Sequence, residues 1–365
     1  VSSGDTEREF SPKEDTMFGF QWHLSDACNR RCRHCYQESF SGQSREVSAA
    51  ERRRLADNIL GSIAEEPVSI NLTGGEPLLL PDLLELLAHL ETFPNLADVS
   101  IITNGTITDP QLLGALKEFP RLECFKISLE SGNAEVNDSV RGPGDLEMRR
   151  RNIPLYAQAT GRPIVLMMTL SLLNFRTIAE TVAFARETGT AGIIFERFVP
   201  LGTGKGMAET VLTPQAWHNA ILDIGKAAGT EVDPDSLAAC RAFWLDLKNP
   251  GEPEESAKPD EADETDSPLE AALCNLGPNS MALMPDGTVF PCRRLEIPVG
   301  NLLHEPFFDV RHRLAAWECP QVRPRLTGEY CGSCPVSDCP GCRALARALT
   351  GDPLADDPQC VLRRE

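Results

Sequence analysis

The chain has 365 residues, 41% of them hydrophobic, 24% charged and 6% aromatic, enough for about two to three domains and a substantial buried core. Its 35 Lys and Arg stand against 54 Asp and Glu. The formal net charge of −19 excludes non-specific binding to nucleic acid or to an anionic membrane surface. No apolar run reaches the roughly 18 residues of a membrane span. Residues 1–17 form a polar arm, with neither the basic nor the apolar segment of a secretion signal.

The pattern then alternates. Residues 18–24 read as a strand. Ser48 and Glu51 make a capping box for a helix with Leu55, Ile59 and Ile63 on one stripe. Strands are predicted over 68–72, 99–103, 124–129, 164–170 and 192–198, and helices over 81–91, 110–119, 146–159, 176–187 and 214–228. Six strand–helix units predict an α/β fold with a parallel sheet and outer helices. They fit a partial (β/α)6 TIM-like barrel over 18–228. A doubly wound open sheet is the alternative.

The regular pattern stops near residue 248. Within a bridging segment at 229–270, the stretch 251–267 holds eight acids and one Lys. It reads as a solvated, disordered insert, or else as a contact for a basic partner. From 271 to 365 the strands are short and the cysteines dense. Such a segment is held together by metal rather than by an apolar core.

The chain has thirteen cysteines. An odd number without an export signal argues against a disulfide scaffold and for a reducing, cytoplasmic setting. Cys28, Cys32 and Cys35 follow the first strand as C-x3-C-x2-C. Three thiolates on a short loop can ligate three irons of a cubane and leave the fourth to a non-protein ligand. Arg30, Arg31 and Arg33 add charge that favours thiolates. Zinc with His34 as fourth ligand is the alternative. Tyr36 sets an aromatic face beside the open iron. After the second strand comes Thr73-Gly74-Gly75-Glu76-Pro77, whose glycine pair lets a ligand approach the backbone.

On these residues the stretch from about 18 to 225 resembles the radical S-adenosylmethionine (radical SAM) superfamily. The resemblance implies a [4Fe–4S] cluster on Cys28, Cys32 and Cys35, its open iron chelated by S-adenosyl-L-methionine (AdoMet). It implies Tyr36 near the adenine and Gly74, Gly75 and Glu76 accepting the methionine ammonium. Ser128 and Arg141, at the ends of a serine-to-arginine stretch, would lie near the ribose and carboxylate. The chemistry implied is reductive cleavage to a 5′-deoxyadenosyl radical that abstracts hydrogen from substrate, fed by an external flavodoxin- or ferredoxin-like donor.

Cys274 and Cys292, then Cys331-x2-Cys334-x4-Cys339-x2-Cys342 and Cys360, resemble the SPASM domain, which carries auxiliary [4Fe–4S] clusters. Zinc knuckles are the alternative. The resemblance implies Cys274, Cys292 and Cys342 on one auxiliary cluster and Cys331, Cys334, Cys339 and Cys360 on a second. Two gaps in the quartet are each one residue shorter than usual. One iron is left to Cys319, to Cys240 or to substrate, with Cys319 preferred because it lies within the domain. Cys124, in an apolar strand, reads as packing. The branch implies maturation of a ribosomally made peptide, by a thioether or related crosslink, with tetrapyrrole side-chain processing as the alternative. Where sulfatase-oxidising members place an Asp after the second SPASM cysteine, this chain has Arg293. Arg293 and Arg294 could bind an acidic leader or a carboxylate, or balance cluster charge. A non-catalytic iron–sulfur or zinc interaction protein is the remaining reading.

Overall fold

A computed structural model describes residues 17–42, 46–247 and 267–363. Most of the acidic insert and of the N-terminal arm lies outside these residues. Six parallel strands, β1 (Phe18–His23), β2 (Val68–Thr73), β3 (Leu96–Thr103), β4 (Leu122–Ser128), β5 (Ile164–Leu170) and β6 (Gly192–Arg197), lie side by side in chain order. A doubly wound sheet reverses its strand order at a switch point. Unbroken sequential order means every right-handed crossover turns the same way, so the sheet curls as a partial barrel with its helices outside.

Those helices are α1 (Ala49–Leu60), α2 (Leu83–Leu90), α3 (Pro110–Leu116), α4 (Ala134–Arg141), α5 (Asp145–Thr160), α6 (Ile178–Glu187) and α7 (Pro214–Ala228). The Ser48–Glu51 capping box is formed. In β1, the period of two puts Phe18, Phe20 and Trp22 in the apolar core and leaves Gly19 and Gln21 on the half-buried face.

Both edges of the parallel sheet are extended. β7 (Cys240–Asp246) runs antiparallel on β6, and β8 (Leu269–Leu273) antiparallel on β7. At the other edge β9 (Ser280–Leu283) pairs parallel with β1, followed by β10 (Thr288–Phe290) and β11 (Gly300–Asn301). The cysteine-rich part thus begins as a continuation of the barrel sheet, which covers an otherwise open edge. It ends in short helices: α8 (Phe307–Leu314), α9 (Cys319–Val322), α10 (Glu329–Ser333) and α11 (Arg343–Thr350). Phe307 packs edge-on against Phe18 at 5.1 Å. Arg311 grips Glu66 through two bonds of 2.7 Å.

Candidate active site

The C-terminal ends of β1 to β6 open onto one cavity of about 960 Å³, where α/β barrels place their chemistry. Cys28, Cys32 and Cys35 all line it, as do Tyr36, Gly74, Gly75, Ser128 and Arg141. The cysteine loop is held from both sides by backbone. Gly75 and Glu76 donate to the carbonyls of Ser25 and Ala27 at 2.7 and 2.8 Å. A Cβ on Gly75 would stand 2.1 Å from the Ala27 oxygen, and one on Gly74, at φ +127°, 2.5 Å from the Ser25 oxygen. The glycine pair is therefore required by the close approach of the cysteine loop itself. On the other side Thr203 and Gly204 donate to the carbonyls of Gln37 and Cys35 at 3.1 and 2.9 Å. Gly202, at φ +52°, leaves no room for a Cβ against Tyr36.

Amide hydrogens point at the sulfurs. Arg30 N–H reaches Cys28 Sγ at 3.4 Å and Gln37 N–H reaches Cys35 Sγ at 3.4 Å. Asn104 Nδ2 approaches Cys28 at 3.8 Å. Such donors suit anionic thiolates on a cluster. Burial nevertheless outweighs nearby positive charge. It raises the Cys28 thiol and pushes Cys35 up to about 11, so ionising either thiol needs a compensating positive charge beside it. The expected thiolate-promoting role of the arginines is corrected accordingly. Arg30 is spent on Asp145 and on the Arg141 carbonyl, and Arg33 on the Ser139 carbonyl at 3.2 Å. They tie the loop to α4 and α5.

His34 lines the same cavity, with one ring nitrogen taken by a carboxylate. Its Nε2 lies 3.2 Å from Glu130 Oε1, which disfavours it as a fourth zinc ligand. Among the described residues, no three Cys, His, Asp or Glu side chains converge on a single ion. The three thiols line one cavity on a single loop.

Glu76 departs from its expected place. Its carboxylate is 1% exposed and accepts from Thr103 Oγ1 (2.7 Å), Asn104 N (2.7 Å) and Leu78 N (3.2 Å). It does not line the cavity, so an ammonium there would meet carbonyls rather than this side chain. Arg141 lines the cavity but is already paired with Glu130 at 3.1 Å and Asp145 at 3.3 Å. Burial opposes its charge, while Cys32, Asp145 and Glu130 together raise its pKa. Ser128 Oγ sits 3.5 Å from the Thr103 carbonyl.

Arg293 reaches in from the cysteine-rich part. Its guanidinium lies over the Tyr36 ring at 4.0 Å, and Tyr36 OH donates to the Gly74 carbonyl at 2.8 Å. Arg294 pairs with buried Glu196 at 2.9 Å.

Cys274, Cys292 and Cys342 pack around one apolar cluster with Leu295, Trp317 and Leu345. Burial raises the Cys319 thiol, and its Sγ lies 3.7 Å from the Ser337 carbonyl. Cys331 accepts the Asp357 N–H at 3.3 Å and raises Cys360. Burial pushes Cys339 up to about 12. Arg323 holds the Cys334, Val336 and Cys339 carbonyls. Cys240 is buried on β7, its carbonyl taken by Arg197. Cys124 lies against Ser100 at 3.3 Å, away from both groups.

Several contributors had no reading from sequence. Asn104, beside Gly105, has the local pattern of a turn and nothing more. The Gly202-Thr203-Gly204 run after β6 carried a signal in its glycines that went unread. Arg197 and Asp357 form a buried pair at 2.8 Å across 160 residues, with Asp357 also accepting the Cys342 N–H at 2.9 Å. No local pattern announces that pair.

The chain is similar to known proteins. The radical SAM superfamily model matches residues 22–185. The AdoMet-dependent heme synthase of Methanosarcina barkeri is 30% identical over 352 residues, 94% of this chain and 95% of that protein. The mycofactocin maturase of Mycobacterium ulcerans is 27% identical over 365 residues, 97% of this chain and 90% of that protein. Among solved structures, native anSMEcpe with bound AdoMet has a TM-score of 0.68 at 17% identity, covering 94% of both chains. SuiB of Streptococcus suis bound to S-adenosylmethionine has a TM-score of 0.65 at 16% identity, covering 94% of this chain and 77% of that one. With the heme synthase similar along nearly its whole length, the chain belongs to the radical SAM superfamily of enzymes, with a SPASM-like cysteine-rich region behind its partial barrel.

Proposed function

We propose that this enzyme binds a [4Fe–4S] cluster on Cys28, Cys32 and Cys35 and AdoMet beside it, and oxidatively modifies a ribosomally made peptide. The observation that carries the reading is three thiols on one loop, met by N–H donors, at the cavity where all six parallel strands end. When bound, cluster and AdoMet together supply one-electron reductive cleavage and a carbon radical able to take hydrogen from substrate. The chain's own residues bind and orient. Gly74 and Gly75 offer backbone to the ammonium, and Tyr36 faces the adenine under Arg293. Ser128 and Arg141 face the ribose and carboxylate, Arg141 being held in place by Glu130 and Asp145. Arg293, standing over Tyr36 where an Asp base would be needed, argues against sulfatase maturation.

Cys274, Cys292 and Cys342 would hold one auxiliary cluster, with Cys319 preferred over Cys240 or substrate as its fourth ligand, and Cys331, Cys334, Cys339 and Cys360 the second. Three clusters amount to about 12 iron atoms per chain. Iron and sulfide analysis after anaerobic reconstitution checks this, and a value near about 4 removes the auxiliary pair. Replacing Cys28, Cys32 and Cys35 with Ala is expected to abolish 5′-deoxyadenosine formation from AdoMet. Undiminished product would refute the assignment.

The peptide reading draws on the maturase relative, and its product would be of thioether or related crosslink type. A second reading, processing of a tetrapyrrole side chain, is favoured by the 30% identity to the heme synthase. Incubation with AdoMet, reductant and either a precursor peptide or a porphyrin carboxylate, followed by mass spectrometry, separates them. Among the described residues, no helix is long and apolar enough to cross a membrane.

A further inference from the structure

Beneath the first cavity lies a second, of about 1100 Å³, inside the barrel. Ile102, Met167, Glu196, Arg293 and Arg294 line both, so the two share a wall. The deeper cavity is rich in cations. Lys126 stands on the cavity face of β4, between the core residues Phe125 and Ile127, which point the other way. Its ammonium donates to Asn71 Oδ1, a neutral amide, at 2.7 Å. Arg241 on β7 donates through Nε to the Leu273 carbonyl at 2.8 Å. Arg293 has a buried Nε without a partner. The acid here, Glu196, is already paired with Arg294. Among the described residues, Lys126, Arg241 and Arg293 form no salt bridge, and the charge of Glu196, which is felt by all three and by Arg294, offsets only one of the four cations.

Placing a cation on the inward face of a barrel strand costs free energy unless an anion compensates it. In a chain of net charge −19, such an excess of positive charge in one cavity is selective for an anion. Lys126 precedes Ser128 by two residues on the same face, which sets it about 7 Å deeper. A group bound at Lys126 therefore presents its neighbouring atoms upward, toward the cysteine-loop cavity.

We propose that the deeper cavity is the substrate site and that it holds the substrate by a carboxylate, clamped by Lys126 with Arg241 and Arg293. The proposal rests on the radical-enzyme reading above and adds the chemical class of its substrate. A tetrapyrrole side chain or an acidic peptide residue would each supply that carboxylate.

Reconstituted enzyme with AdoMet is titrated calorimetrically under anaerobic conditions with two matched pairs. One is coproporphyrin III and its tetramethyl ester. The other is a short Glu-containing peptide and its Gln counterpart. The acid member of one pair is expected to bind at least about tenfold more tightly than its neutral partner, the scale of one hydrogen bond to a charged group. Which pair discriminates names the source. Lys126→Gln is expected to erase most of the preference and Lys126→Arg to keep it. Arg241→Gln, nearer the surface, gives a second test should Lys126→Gln fail to fold. Equal binding of acid and neutral forms, absence of binding by all four probes, or full preference in a folded Lys126→Gln variant would overturn the proposal. Release of 5′-deoxyadenosine by the wild type tests the radical reading separately.

Discussion

His23 ends β1 with its ring fully buried, edge-on to Tyr36 at 5.2 Å, and neither nitrogen has a hydrogen-bond partner among the described residues. Burial first, and the charge of Arg293 second, hold its pKa well below the usual value. The folded imidazole is neutral, while the unfolded one titrates near about 6.5. Below that pH the unfolded chain binds the extra proton, so stability present above it is lost as the pH falls toward the folded value. The urea midpoint is expected to drop between about pH 7.5 and about pH 5.5, and to drop less in His23→Leu. Equal drops would remove His23 from the account. The glycines give a second test at this scale. Gly75→Ala forces a Cβ against the Ala27 oxygen and is expected to lower iron uptake on reconstitution. Gly114→Ala, with open space around it in α3, is expected to leave uptake intact and to stabilise the helix by about 1 kcal/mol. The cysteine loop and the glycine pair were legible in the sequence because ligand spacing and tight loops are local properties of the chain. Glu76 misled because a carboxylate beside a glycine pair gives no sign of which way it turns. Lys126–Asn71 and Arg197–Asp357 join residues 55 and 160 apart, so only the folded sheet reveals them.

At the scale of elements, the six strand–helix units were readable because each strand buries one face and each helix one stripe. Predicted bounds for β5 and α7 coincide with those observed, 164–170 and 214–228. α4 was missed, since its eight residues carry three apolar side chains, Ala134, Val136 and Val140, and no long stripe. β7 and β8 were missed because an acidic stretch separates them, and because Leu-Glu-Ala-Ala-Leu in β8 has helix-forming composition. Their pairing is set by the open edge of β6, not by their own pattern. The same continuity governs how the cysteine-rich part behaves. β9 pairs with β1, Phe307 packs on Phe18, and Arg311 holds Glu66. Phe307→Ala is expected to cost about 3–5 kcal/mol and to leave one cooperative unfolding transition, monitored by circular dichroism. Two separated transitions in the variant would mean that the C-terminal part unfolds as its own unit.

At the scale of the whole molecule, a net charge of −19 repels the acidic proteins that deliver single electrons, yet the proposed cluster would have to be reached by one for turnover. The exposed Arg31 and Arg33 flank Cys32, and with Phe40, Thr203 and Met207 they line a recess on the outer side of the cysteine loop. Arg31 donates to the Cys28 and Arg30 carbonyls at 2.7 and 2.8 Å and lies 4.7 Å over the Phe40 ring. Among the described residues neither arginine forms a salt bridge, so both charges are available to a partner. Local attraction then outweighs global repulsion only at short range, because salt screens beyond about 10 Å at 0.1 M. The reading predicts that an acidic flavodoxin docks here. In the Arg31→Glu, Arg33→Glu double variant, the rate of 5′-deoxyadenosine formation driven by reduced flavodoxin, divided by the rate driven by dithionite, is expected to fall about tenfold or more at low ionic strength. In the wild type the same ratio is expected to decline as salt is added, since steering is what the salt removes. A ratio unchanged by either the substitutions or the salt would mean that the electron enters elsewhere, with the auxiliary-cluster side, around Cys334 and the exposed Tyr330, as the next surface to probe.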